Sequence, residues 1–449
     1  MKYCVALLAL MITWNMTAYP QTGDEMTLAR AVQVALERNV TVIQARNNLS
    51  ASESGTRAAV GGLLPSLDAS GRFNRSQAWN RTVQLEDGSY IDNPAGTQFG
   101  ARNSWSAGVS ANWVLFDGFS NLSSITRANA RHAASQHTVA RTEQTVIYQT
   151  HQLYLNVART FHLLKVNEDN LKRSQRQLER ITESNKVGAV ALADVYRQQV
   201  QSATDELALI QAQNNFEQAK ADLVAFLGVE VGPSYSFAFN EIPLDVDTSE
   251  FHGLNAQYTD FNGLVTSALA NRPDFLASIE DVRSAEESET IARSGHLPTL
   301  SASGSYGYGH EEFGNLWKDR SFDLGLTLSV PIFRGFSVQT QVEQAQVARK
   351  NSEEENLQAR RQIAVDIRKS LFDLETAEKQ LAVTQKSVAS ADMDRKIAEE
   401  KYTLGASTLL DLLVATANYT TALSNKVNAV MGYLLAKKAV EYSLGTISR

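Results

Sequence analysis

Leu64-Pro65-Ser66-Leu67-Asp68-Ala69-Ser70-Gly71 is written a second time, 233 residues later, as Leu297-Pro298-Thr299-Leu300-Ser301-Ala302-Ser303-Gly304. The same offset carries Val32, Ala35 and Leu36 onto Val265, Ala268 and Leu269. Downstream the offset becomes 217: Phe116-Asp117-Gly118-Phe119 falls on Phe333-Arg334-Gly335-Phe336, Gly188 on Gly405, Asp194 on Asp411, and Leu227-Gly228 on Leu444-Gly445. One register kept without a gap from 116 to 228 is the mark of an internal repeat. The chain is two copies of one unit, spanning 19–228 and 260–445, with a connection at 229–259 and a tail at 446–449. The two offsets differ by 16, so the first copy carries that many extra residues between Leu67 and Phe116. We place them within 79–101, where Asp87-Gly88 and Asn93-Pro94-Ala95-Gly96 are turn signals.

Each copy mixes two periodicities. From Gly118 to Gly188, and again from Phe336 to Gly405, no Gly or Pro intervenes. Such breaker-free runs rich in Ala, Gln, Glu, Arg and Lys predict long helices at 119–187 and 336–403, roughly 100 Å each at the α-helical rise. Val157, Leu164, Leu171 and Leu178 recur every seven residues, as do Ile367, Leu374, Leu381 and Val388, which is the narrow seam of a coiled coil. Gly188 and Gly405 stop these helices, and return helices follow at 190–227 and 407–444. Further helices are expected at 25–60 and 259–293, with Pro273 interrupting the second.

Between the helices the period changes to two. Trp105, Ala107, Val109, Ala111, Trp113 and Leu115 alternate with Ser104, Ser106, Gly108, Ser110 and Asn112; Phe322, Leu324, Leu326 and Leu328 alternate with Ser321, Asp323, Gly325 and Thr327. Strands are therefore predicted at about 66–76, 104–115, 299–308 and 321–332. Each is about the length a tilted membrane-spanning strand needs. Trp79, Trp105, Trp113 and Trp317 lie in these regions and none lies in the helices, as an interfacial aromatic girdle requires. Pro65, Pro298, Phe116, Gly118, Phe333 and Gly335 mark where helix becomes strand and strand becomes helix. Four strands cannot close a membrane barrel, and an open edge in lipid strands unpaired backbone groups at several kcal/mol each. The barrel must be shared between chains, which demands an oligomer without fixing its number.

Composition excludes much else. The 449 residues carry a formal charge of −7, the opposite of a nucleic-acid footprint, so no nucleic-acid partner is expected. The only cysteine, Cys4, lies in 1–18, which reads as an export signal: Lys2, an apolar core from Tyr3 to Trp14, then Ala18 as a small residue at the cut. Beyond that segment there is no cysteine, so no disulfide scaffold, zinc finger or thiol nucleophile is expected, and the seven scattered histidines form no ligand pair. No catalytic residue, metal or cofactor is expected.

The order helix, strand pair, long helix, glycine turn, helix, written twice, resembles the TolC-like outer membrane factor family. The Leu-Pro-x-Leu strand entries, the Phe-Asp-Gly-Phe and Phe-Arg-Gly-Phe strand exits, and Tyr402-Thr403-Leu404-Gly405 ahead of Asp411 carry the resemblance, from about Thr27 to Gly445. It implies a mixed α-helical and β-barrel membrane protein: a trimer with a twelve-stranded outer-membrane barrel, four strands per chain, continuous with a coiled-coil periplasmic barrel. The connection 229–259 would form an equatorial collar. The implied function is that of exit duct in a tripartite export system, for small molecules or for type I protein secretion. Its partners would be two further copies, a periplasmic adaptor, an inner-membrane pump and outer-membrane lipid. A trimeric coiled-coil surface protein or adhesin anchored by a shared barrel is the alternative, but does not account for strands set between helices in two repeats.

The resemblance also implies a gate at the glycine turns. In the family a tyrosine and an arginine on the second turn bond an Asp on the first, a Thr beside that Asp assists, and two acids line the constriction. Tyr402 and Asp194 match the tyrosine and its partner, and Asp411 matches one constriction acid. Ser407, Ala193 and Val414 stand where the arginine, threonine and second acid would be. The lock is expected to be weaker, resting on Tyr402–Asp194 and on packing. Thr408, three residues before Asp411, offers a capping role for that acid instead; Ala191, before Asp194, does not.

Overall fold

A computed structural model of the chain describes residues 25–80, 82–86, 88–92, 98–230, 235–239, 242, 244–245, 258 and 260–448. The export signal read at 1–18, the turn signal at 93–96 and most of the connection 229–259 lie outside the described residues. The elements run α1 (Leu28–Arg38), α2 (Val40–Gly61), β1 (Ser66–Asn80), β2 (Thr82–Gln84), β3 (Tyr90–Asp92), β4 (Gln98–Phe116), α3 (Ser120–Lys186) and α4 (Leu192–Leu227). They continue with α5 (Phe261–Asn271), α6 (Pro273–Ser294), β5 (Thr299–His310), β6 (Arg320–Ser329), α7 (Ser337–Thr403) and α8 (Leu409–Leu444). α3 and α7 each hold 67 residues, α4 and α8 each 36, the equality an ungapped register requires. No helix among the described residues is long and apolar enough to cross a membrane.

Three boundaries depart from the sequence reading. The helix expected over 25–60 breaks at Asn39, whose backbone is extended and whose Oδ1 accepts from the Thr41 amide at 2.9 Å while its Nδ2 donates to the Phe226 carbonyl at 2.8 Å. Its counterpart at the 233 offset is Arg272, where α5 stops before Pro273 opens α6, the position a proline tolerates because that N–H is unbonded anyway. β1 and β4 extend past the expected 76 and 104: their antiparallel register runs unbroken from Ser66↔Asn112 to Asn80↔Gln98. Backbone pairing needs no apolar face, so the ladder outlasts the hydrophobic alternation, and much of the extra length of the first copy lies in this extension and the β2–β3 hairpin. β6 ends at Ser329 rather than 332, because Pro331 has no amide to donate.

The described residues divide into two units. One comprises residues up to Gln44, Arg141–Arg272 and those from Ile363 onward. Its core gathers α1, the middle of α3, the end of α4 and part of α8 around fully buried Tyr154, whose hydroxyl donates to the carbonyls of Met26 and Ala238. Val157, Leu164, Leu171, Ile367, Leu374 and Leu381 of the heptad seams are buried.

The second unit comprises Ala45–Ala140 and Pro273–Gln362. Its helical part is tied by polar contacts, among them buried Glu289 held by Arg293 and by Arg349 at 2.8 Å. Its four-stranded sheet has the order β1-β4-β5-β6, antiparallel throughout. One side of β6 stays uncovered: Phe322, Leu324, Leu326 and Leu328 are 65–77% exposed.

Strand passes to helix through an uncommon turn. Gly118 and Phe119 have φ of +68° and +74°, Gly335 and Phe336 of +57° and +62°, so each copy places a phenylalanine in the left-handed region that L-residues avoid. The ring of each meets the phenylalanine three residues earlier edge-on, Phe116–Phe119 at 5.4 Å and Phe333–Phe336 at 5.6 Å. Pro65 and Pro298 immediately precede β1 and β5, where a proline keeps the residue before it out of the helical region. The two glycines differ in surroundings. A methyl at Gly118 would lie 2.7 Å from Leu297 Cβ, while one at Gly335 meets nothing within 4 Å. Gly335→Ala should therefore cost the left-handed penalty alone, about 1–2 kcal/mol. Gly118→Ala should add about 1–3 kcal/mol of overpacking, giving a clearly larger drop in thermal midpoint.

Candidate functional site

The two glycine turns come together in one unit. Each closes its helix by the same pair of bonds: Ala189 N to Ser184 O and Gly188 N to Asn185 O, both 2.9 Å, then Ala406 N to Lys401 O at 2.8 Å and Gly405 N to Tyr402 O at 3.0 Å. These are Schellman caps, and the positive φ of Gly188 (+76°) and Gly405 (+71°) is what they require. Asn185 Nδ2 braces the first turn through Val190 O at 2.7 Å. Ile181, Val195 and Leu409 form a small buried cluster between the turns, with Leu178, Val190, Tyr402 and Leu413 against it.

Tyr402 reaches this cluster from the end of α7, and its hydroxyl is buried without a hydrogen-bond partner. Burial first, and the negative charge of Asp194 second, push its pKa up. Asp194 is near enough to act on it electrostatically but is bonded elsewhere: Arg197 Nη1 donates to its Oδ1 at 2.8 Å. The Tyr402–Asp194 hydrogen bond expected from sequence is thus not made within this chain. A cation one turn along α4 competes for the carboxylate, as i,i+3 geometry permits.

Asp411 is spoken for. Its Oδ2 accepts from the Thr408 amide at 3.0 Å, Thr408 Oγ1 at 2.7 Å and Ser407 Oγ at 2.9 Å, while Thr408 Oγ1 accepts from the Asp411 amide at 3.3 Å. This is a full capping box at the start of α8. The Thr408 hydroxyl and amide, then the Ser407 hydroxyl, hold its carboxyl below the usual range. Ser407, noted above as standing in place of an arginine, has joined the cap. At the equivalent point of α4, Ala191 gives no side-chain cap and Asp194 makes none.

The sequence reading passed over a polar seam just behind the turns. Arg180 reaches Glu399 at 3.8 Å, linking α3 to α7. Asn170 of α3 donates to Asp205 of α4 at 2.9 Å and accepts from Thr420 of α8 at 2.9 Å. Arg173 and Arg395 lie over the ring of Tyr419, at 5.7 and 5.1 Å. The 4-and-3 spacing of Arg173, Gln177 and Arg180 was the available signal: three long polar side chains on one helical face.

The sequence model of the outer membrane efflux protein family matches residues 31–229 and 264–446, one span in each copy. Outer membrane protein TolC of Escherichia coli (strain K12) is 26% identical over 364 residues, 77% of this chain and 70% of that protein. The crystal structure of the Campylobacter jejuni CmeC outer membrane channel superposes with a TM-score of 0.76 at 20% identity, covering 93% of this chain and 85% of that one. Outer membrane protein VceC of Vibrio cholerae gives 0.76 at 18%, covering 93% and 96%.

Two outcomes test the turns. The depressed pKa of folded Asp411 makes its stabilisation fully present at neutral pH, above the unfolded carboxyl's pKa, and lost as pH falls through the folded value. Asp411→Ala should lower the thermal midpoint at pH 7, and the gap to wild type should close below the ordinary carboxylate range. Tyr402→Phe removes a buried hydroxyl that bonds nothing in the chain, and should leave stability unchanged or raise it by up to about 1 kcal/mol.

Proposed function

The chain belongs to the outer membrane efflux protein family and serves as an efflux duct in the outer membrane; from that premise we propose a trimer in which each chain gives four strands to one twelve-stranded barrel. The observation that carries this reading is the sheet. Among the described residues β1 pairs only with β4 and β6 only with β5, so both outer edges are open, while the apolar side of β6 is uncovered. Lipid against the apolar side and neighbouring chains against the edges satisfy both demands at once. The phenylalanine pairs at the strand–helix turns then fall at the level where aromatic side chains anchor a barrel to the membrane interface.

The long helices of three copies would continue the barrel as a periplasmic tunnel, with the connection 229–259 as a collar around it. The duct would receive its cargo from an inner-membrane pump through a periplasmic adaptor. Small-molecule efflux and type I secretion place the same demand on this chain, a passage that opens at the helix turns. There, three copies of Asp194 and of Asp411 form two carboxylate sets around a narrow mouth, drawing cations. The family's arginine is absent, so closure falls to packing of the Ile181–Val195–Leu409 cluster and to Tyr402 beside Asp194.

The barrel is tested at Leu326. Arginine there, facing lipid near the midplane, should cost about 2–4 kcal/mol and reduce membrane insertion and trimer yield. Normal yield, or a folded monomer in mild detergent, would sink the shared barrel. For the mouth, Asp194→Asn combined with Tyr402→Phe should raise single-channel conductance of the purified protein in a planar bilayer, and Asp411→Asn should weaken block by divalent cations added from the turn side. If conductance and block are unchanged, the constriction lies elsewhere.

A further inference from the structure

A groove of about 570 Å³ lies between α3, α4, α7 and α8, behind the glycine turns. Four nitrogen donors on its lining residues are buried and have no hydrogen-bond partner: Nε and Nη2 of Arg173, Nε2 of Gln177 and Nε of Arg395. The one orphan acceptor on the same lining is Gln198 Oε1, whose amide nitrogen is already given to Ser174. Charge is unbalanced in the same sense. Arg173, Arg176, Arg180 and Arg395 line the groove against Asp205 and Glu399. Both acids are engaged: Asp205 accepts from Asn170 and Gln201, at 2.9 and 3.0 Å, and Glu399 meets Arg395 at 3.1 Å and Arg180 at 3.8 Å. Arg395 also holds Asp392 at 2.9 Å, on its other terminal nitrogen. Among the described residues no carboxylate pairs with Arg173.

A cation with buried, unbonded N–H groups is costly: burial first, then the charge of Arg395, lower the pKa of Arg173 against the opposing influence of Tyr419 and Asp169, yet a guanidinium keeps its charge in proteins. Water would supply acceptors but no negative charge. A tetrahedral oxoanion supplies both, and a planar guanidinium offering Nε and Nη2 side by side is the fork that binds two of its oxygens. We propose that this groove is a binding site for a small inorganic oxoanion, sulfate or phosphate, held by the Arg173 fork, Arg395 Nε and Gln177 Nε2, with Tyr419 packed beneath the two guanidinia. The ion would join α3 to α7, the two helices that end in the glycine turns, and so resist their separation. The binding claim stands on the chemistry of the groove and does not depend on the trimer or the gate.

The test is isothermal titration calorimetry of the purified full-length protein in detergent, with sulfate as the probe and chloride replaced to keep ionic strength constant. Saturable sulfate binding is expected. Arg173→Gln should weaken it at least about tenfold, the loss of one charge-assisted pair of bonds. Arg173→Lys, which keeps the charge without the fork, should fall between. Gln177→Leu leaves every charge in place, so weaker binding in that variant separates a built site from general attraction to positive charge. Circular dichroism and trimer yield matched to wild type show that each variant is folded. In crystals grown with selenate, an anomalous peak should lie between Arg173 and Arg395. Absence of saturable sulfate binding by the wild-type protein, or wild-type affinity kept in folded Arg173→Gln or in folded Gln177→Leu, overturns the proposal.

Discussion

Every backbone amide and carbonyl on the free sides of β1 and β6 needs a partner, and the chain has no further long strand to offer among its described residues. In water those edges would be hydrated, but the apolar side of β6 would then lie exposed beside them. In lipid that side is at home, but each unpaired edge group costs several kcal/mol. No single chain escapes both. The sheet is open at both edges, and the shared barrel proposed above would close it with strands from neighbouring chains.

The chain leaves the sheet abruptly at each strand–helix turn. Two successive left-handed residues make that turn in each copy, and the second is a phenylalanine despite its side chain. The phenylalanine three residues earlier supplies an edge-on ring contact that holds it there. The copies have nevertheless diverged around this shared geometry. Asp117 Oδ2 accepts from the Asn121 amide at 2.8 Å and so caps α3, whereas the Arg334 side chain in the same place has no oxygen to offer. Gly118 is hemmed in by Leu297 while Gly335 is open. The two turns share a backbone path and are held by different means.

What could be read from sequence was what repeats with a period. The two offsets, the heptad seams, the alternating strands and the glycine stops are all patterns of spacing, and the elements fall within a few residues of them. What escaped depends on contacts distant in sequence. The break at Asn39 is fixed by a bond to Phe226, 187 residues away, and no local signal announces it. The extension of β1 and β4 follows backbone pairing that polar side chains such as Gln77 and Arg102 do not reveal. The polar seam of Arg173, Asn170, Asp205 and Arg395 becomes a site only once four helices are packed together. Before that, its members are ordinary charged residues on long helices, which the 3.6 period alone cannot tell from a solvated face.

The glycine turns show why equivalent positions need not do equivalent work. Asp194 and Asp411 occupy the same register and each opens a helix, yet the residue three places earlier decides their fates. Thr408 has a hydroxyl to exchange with Asp411, so one carboxylate oxygen takes three hydrogen bonds and the acid belongs to its own helix. Ala191 has none, so the N-terminus of α4 goes without a side-chain cap and Asp194 turns to Arg197 instead. That pair is half exposed, and an exposed ion pair holds weakly. Asp194 is therefore the acid whose partner is cheaply exchanged, and the buried, unbonded hydroxyl of Tyr402 lies within reach of its field. A small rotation of α7 against α4 that carried the hydroxyl to the carboxylate would satisfy a buried donor and displace only a surface contact. Asp411, locked in its capping box, has no comparable freedom. In the mouth proposed above, hydrogen bonding would then act through Asp194, while Asp411 stays with its own helix.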